Sequence, residues 1–112
     1  MAYDDALAAR IRSVLAEREN VTEQKMFGGI AFMIGGRMAV GVVRDDLMVR
    51  VGPDAHDEAL ASPHVRPMDF TGRPMRGFVL VAPAGVADDS ELQGWVEAGA
   101  SFAVSQPPST SR

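Results

Sequence analysis

The residues in this chain whose type and placement come closest to a chemistry are arginines. Arg37, Arg50, Arg73 and Arg76 fall near the ends of predicted strands. Converging guanidinium groups bind carboxylate or phosphate through paired N–H donors. Between residues 62 and 87 the only acid is Asp69, against Arg66, Arg73 and Arg76, which leaves room for a local basic patch. The chain as a whole carries a net charge of −4, and nucleic-acid binders show a basic stripe that this balance opposes. An anionic ligand or a nucleic acid is therefore the alternative reading. The competing assignment is structural, with the arginines paired to Asp69 and to helix acids.

The other reactive side chains form no recognisable apparatus. His56 and His64 are separated by a Ser-Pro break and lack the i, i+4 spacing of a helical metal pair, so both are expected at the surface. Asp45-Asp46 reads as a hairpin loop. Asp57-Glu58 has no neighbours that promise a buried, shifted carboxyl. The stretch GGRMAVG lacks the GK[ST] ending of a phosphate loop, and no G-x-S-x-G elbow occurs. Cysteine is absent, which removes disulfides, thiol catalysis and thiolate metal sites. We expect no catalytic residue, no metal and no cofactor.

These side chains need a scaffold, and 112 residues with 46% hydrophobic and 23% charged content suit one domain around one core. The pattern predicts an amphipathic helix over residues 4–18, with Leu7, Ile11, Val14 and Leu15 as its stripe. The stretch from 25 to 52 is apolar sequence cut by Gly-Gly and Asp-Asp pairs. It predicts a meander with strands at 24–27, 30–34, 37–43 and 47–51. The Gly28-Gly29 pair suggests a bulge or sharp bend, and Gly35-Gly36 a type I′ turn. A short helix follows at 53–61, then an edge segment at 65–70 limited by Pro67 and a strand at 75–81. The last helix starts with a capping box, Asp88 and Glu91. It carries the stripe Leu92, Trp95, Val96, Gly99, Phe102 and Ala103, with Gly99 placed for close approach to the sheet. Residues 1–104 form the domain, and 105–112 read as a polar, disordered tail.

Register then assigns the sheet faces. With Gly35-Gly36 as the loop, Met33 opposes Met38, Phe32 opposes Ala39 and Ile30 opposes Gly41. With Asp45-Asp46 as the next loop, Val42 opposes Val49 and Gly41 opposes Arg50. One face then carries Ala31, Met33, Met38, Val40, Val42, Leu47, Val49 and Val51, and takes the helices. The other carries Ile30, Phe32, Ala39 and Met48, too apolar for water, and is expected to bind a protein partner or a second copy.

The motifs Met26-Phe27-Gly28-Gly29, Phe32-Met33, Gly36-Arg37-Met38 and residues 47–51 occur in that order. Met68-Asp69-Phe70, Gly72-Arg73-Pro74-Met75 and Gly77-Phe78 follow. In these the chain resembles the N-terminal domain of the TfoX/Sxy competence-regulator family, over nearly its whole length apart from the tail. The resemblance implies a compact α+β domain, an antiparallel sheet meander flanked by N- and C-terminal helices and similar to secretion-chaperone-like folds. It also implies a regulatory or protein-interaction role without catalysis. The acidic start has no apolar core of a signal peptide, and no run approaches the ~18 apolar residues of a membrane span. A cytoplasmic protein without membrane contact is expected.

Overall fold

The computed structural model describes residues 3–26, 28–68 and 76–105. Its elements, in order, are α1 (Asp5–Val14), β1 (Val21–Met26), β2 (Gly29–Ile34), β3 (Arg37–Val43) and β4 (Asp46–Arg50). After these come α2 (His56–Leu60), β5 (Val65–Pro67), β6 (Phe78–Val81), a 3-10 turn at Pro83–Val86 and α3 (Asp89–Ser105). The strands form one antiparallel sheet in the order β1-β2-β3-β4-β6-β5. The architecture is α+β, as the sequence predicts, with α1 and α3 against the same sheet face. No helix among the described residues is long and apolar enough to cross a membrane.

Local chemistry sets the boundaries. The Asp4 carboxylate caps α1 by accepting from the N–H groups of Ala6 at 2.9 Å and Leu7 at 3.2 Å. Its apolar stripe buries Leu7, Ala8, Ile11 and Leu15, while Val14 is half-buried. The helix stops at Val14, four residues short of the expected end. Gly35 and Gly36 adopt φ of 60° and 83°, the left-handed pair that a type I′ turn requires. Met26 pairs with Gly29 and Gly28 takes φ 75°, so the chain bends sharply here, the second of the two outcomes expected of the Gly28-Gly29 pair. β1 accordingly starts earlier than expected, at Val21. Arg10 on α1 reaches the Val86 carbonyl at 2.8 Å and Asp89 at 3.0 Å, and Arg18 pairs with Glu97 at 2.7 Å, which ties α1 to α3.

The sheet faces differ from the sequence expectation at one point. Met33 does oppose Met38, but Phe32 opposes Val40, Ala31 opposes Gly41 and Ile30 opposes Val42. Ala39 is the extra residue of a β-bulge. It turns the remainder of β3 so that Val40 and Val42 share a face with Ile30, Phe32 and Ile34. The β3–β4 loop is Arg44-Asp45, not Asp45-Asp46, with Arg44 at φ 56°. Val42 therefore opposes Leu47, Val40 opposes Val49, and Gly41 opposes Met48 in place of Arg50. That slip amounts to two residues and leaves the faces of β3 and β4 unchanged.

The main core lies under the helices. It joins Leu7, Ile11, Leu92, Val96 and Ala103 to Ile30, Phe32, Val40, Val42, Leu47, Val49, Val79 and Val81. On the opposite face Met48, Met68 and Leu80 are buried together, with Met38, Val43 and Phe78 packed around them. β5 is shorter than expected, and Met68, just beyond its end, covers this second cluster. The predicted alternation in β6 holds, with Val79 and Val81 in the main core and Phe78 and Leu80 on the other side. Gly99 also behaves as predicted: a Cβ there would overlap the Ala39 carbonyl oxygen and lie 2.8 Å from Val40 Cγ1. The expected tail at 105–112 begins inside α3, since Ser105 is its last residue, and 106–112 lie outside the described residues.

Candidate functional site

The predicted docking surface is not at the surface. Ile30, Phe32 and Ala39 are 4%, 0% and 0% exposed and belong to the main core, whereas Met48, 3% exposed, belongs to the cluster on the other face. The bulge at Ala39 is the physical cause, because it places β2 and β3 side chains on the same face two residues beyond the Gly-Gly turn. The helices cover Phe32, and Met68 and Leu80 pack on Met48.

The arginines are brought toward one end of the sheet. Continuing the β3–β4 register sets Arg37 beside Gly52 and Ala39 beside Arg50, and Arg50 opposes Phe78 in β6. Gly77, at φ 92°, holds this end together. Its carbonyl accepts from the N–H groups of Val51 at 2.8 Å and Gly52 at 3.0 Å, and its own N–H donates to His56 Nδ1 at 2.9 Å. His56 is thus buried, at 6% exposure, and not a surface residue; the hydrogen bond fixes its Nδ1 as an acceptor. His64 is exposed, as expected.

Each arginine has a different setting. Arg50 lies between two aromatic rings, 5.7 Å from the Phe78 centroid and 5.1 Å from that of Phe102. No ion pair engages it among the described residues. Both distances are within the range of a cation–π contact. Arg76 donates to the Pro53 carbonyl at 3.2 Å and lies 3.5 Å from Asp57, both exposed. Arg37 donates to the Gly35 carbonyl at 3.3 Å. Arg73 lies outside the described residues. Asp46 and Arg66 are paired at 2.6 Å, toward the other end of β4. No group of three His, Asp or Glu side chains able to hold a metal ion is found among the described residues.

A second feature escapes the sequence reading. α3 presents Trp95, Ala98, Ser101 and Phe102 along a groove whose other wall is Ala55, Glu58 and Ala59 of the α2 region, with Val51 also lining it. Its volume is about 530 Å³. Across Trp95 lies a second hollow of about 600 Å³, lined by Pro63, His64, Gly85, Glu91 and Gly94 among others. Trp95 and Phe102 are half-buried, at the margin of the helix stripe and not inside it. The available signal was the run of small residues beside them, Gly94, Ala98 and Ser101, which cannot fill the space next to an indole.

Electrostatics outside the groove are local. Arg12 on α1 grips the Glu23 carboxylate of β1 with two hydrogen bonds, Nε to Oε2 at 2.7 Å and Nη2 to Oε1 at 2.9 Å. These bonds hold the Glu23 carboxyl below the usual carboxylate range and raise Arg12.

A six-stranded antiparallel sheet with helices packed on one face defines a domain of the α+β class. The sequence matches the family model of the TfoX N-terminal domain over residues 13–103, and the chain belongs to that family. Membership points to a regulatory domain. Neither the curated proteins nor the solved structures give a significant match.

Proposed function

We propose that this domain regulates by binding a protein segment, without catalysis, and that the α2–α3 groove is where the segment sits. The observation that carries the reading is the open apolar groove beside Trp95 and Phe102. Pockets of this size take one or two anchoring side chains, and aromatic residues supply much of the binding energy at such places. Glu58 on one wall and Glu91 in the adjoining hollow give the rim a negative charge, in keeping with the chain's net −4. The partner segment accordingly carries an aliphatic or aromatic anchor flanked by lysine or arginine. Residues 1–104 are the working unit, in a cytoplasmic protein.

Trp95 is the chain's single tryptophan, so its emission reports the groove directly. Synthetic peptides with a Leu-Phe anchor flanked by lysines should shift that emission saturably, and the shift should weaken in Ala98→Arg, which fills the groove and repels the basic flanks. The same anchor flanked by glutamates should bind poorly. An emission unmoved by the basic peptides, or moved equally by the acidic ones, contradicts the proposal.

One observation favours a second reading, an anionic ligand at Arg50. A guanidinium flanked by two rings and without an ion pair among the described residues is presented for bidentate contact. Binding of inorganic phosphate or a short oligonucleotide, lost in Arg50→Gln and falling steeply with salt, would select it.

A further inference from the structure

We infer that the outer edge of β1 is a pairing surface for a second copy of this chain. The two edges of the sheet are not alike. β5, at one edge, has three residues and ends in Pro67, which cannot donate a hydrogen bond. β1, at the other, has six residues, no proline, and residues 22–25 exposed. Such an edge is a template for another strand.

The register shows which backbone groups are free. The Gly35 N–H donates to the Asn20 carbonyl at 2.9 Å, in line with Val21 opposite Ile34. Even-numbered residues of β1 thus make the hydrogen-bonded pairs with β2. The N–H and C=O groups of Val21, Glu23 and Lys25 point away from the sheet, toward an added strand.

Charge selects the occupant. Two copies of β1 can meet antiparallel about a two-fold axis only in registers that pair odd-numbered residues. An axis at Glu23 would set the two Glu23 side chains opposite each other, which is repulsive. An axis at Gln24 sets each Glu23 opposite Lys25 of the second copy, twice by symmetry, with the two Gln24 side chains facing each other. On the helix side of the seam Arg12, Glu23 and Lys25 of the second copy then alternate in sign. The shared ladder is short, and an interface below the ~1,000 Å² of stable complexes gives a weak, reversible dimer. This inference is independent of the groove.

The test is sedimentation of the full chain over a concentration series reaching about 1 mM, where weak pairing is populated. Wild type should show a monomer–dimer equilibrium. Lys25→Glu and Glu23→Lys should each raise the dissociation constant about tenfold or more, by replacing two attractive pairs with two repulsive ones. An equimolar mixture of these two variants should recover dimerisation, since each supplies the charges the other lacks. Circular dichroism confirms that both remain folded. Lys25→Pro removes an outward N–H together with the Lys25 charge and should also be monomeric. A wild type that stays monomeric throughout, a dimer indifferent to Lys25→Glu, or a mixture that does not recover overturns the inference.

Discussion

The backbone N–H of Gly77 donates to His56 Nδ1 at 2.9 Å, and this bond fastens α2 to the start of β6. The same residue's carbonyl receives the N–H groups at the end of β4, so three segments converge on one glycine. The bond is buried, and a buried donor left without an acceptor costs about 1–3 kcal/mol. His56→Ala should therefore lower the unfolding free energy by about that amount in urea titrations. His56→Asn, whose side-chain oxygen reaches a position near that of Nδ1, should recover part of the loss.

Gly99 and Gly94 lie on the same helix and should respond in opposite directions to the same substitution. A Cβ at Gly99 meets the Ala39 carbonyl, a backbone group that cannot step aside, whereas one at Gly94 meets nothing within 4 Å. Gly94→Ala should raise stability by up to about 1 kcal/mol through helix propensity alone. Gly99→Ala gains the same propensity, but overpacking should leave it about 1–2 kcal/mol less stable than wild type. Thermal denaturation of the two variants side by side gives the comparison.

Glu23 makes stability dependent on pH in a defined direction. Its carboxyl is lowered in the folded protein by the Arg12 hydrogen bonds. The contribution is therefore present above the unfolded value of about 4.3 and is lost as pH falls through the folded value. Both side chains are more than a third exposed, so solvent screening limits the pair to a few tenths of a kcal/mol. Glu23→Gln should differ from wild type by that margin at neutral pH and low salt, and the difference should vanish in strong acid.

Phe32 should behave as a core residue and not as a contact residue. It is fully buried, with Arg12 above its ring at 5.9 Å. Phe32→Ala should cost about 3–5 kcal/mol of stability, as for other buried aromatic rings. A well-folded Phe32→Ala protein with an altered association state would instead return this residue to an interface.

Much of the architecture was legible because it rests on local chemistry. The Gly35-Gly36 turn, the α1 stripe and the approach of Gly99 to the sheet each follow from residue type and spacing. The faces were not legible, because parity along β3 is set by the bulge at Ala39, and alanine gives no local signal for an extra residue. His56 was misplaced for a related reason: its acceptor role depends on a glycine 21 positions away. The place of Arg50 near the end of the fourth strand was legible in the sequence. The two rings around Arg50 were not, since Phe102 arrives from the far end of α3.

β3 carries one residue more than its neighbour β2 needs. Excising Ala39 would set Met38 and Val40 in plain alternation opposite Met33 and Phe32, with no side chain exchanging inside for outside. A one-residue deletion at this position would keep the inside–outside parity of β3 against β2. The loss would be local curvature, and with it the meeting of the Ala39 carbonyl and Gly99 that seats α3 against the sheet.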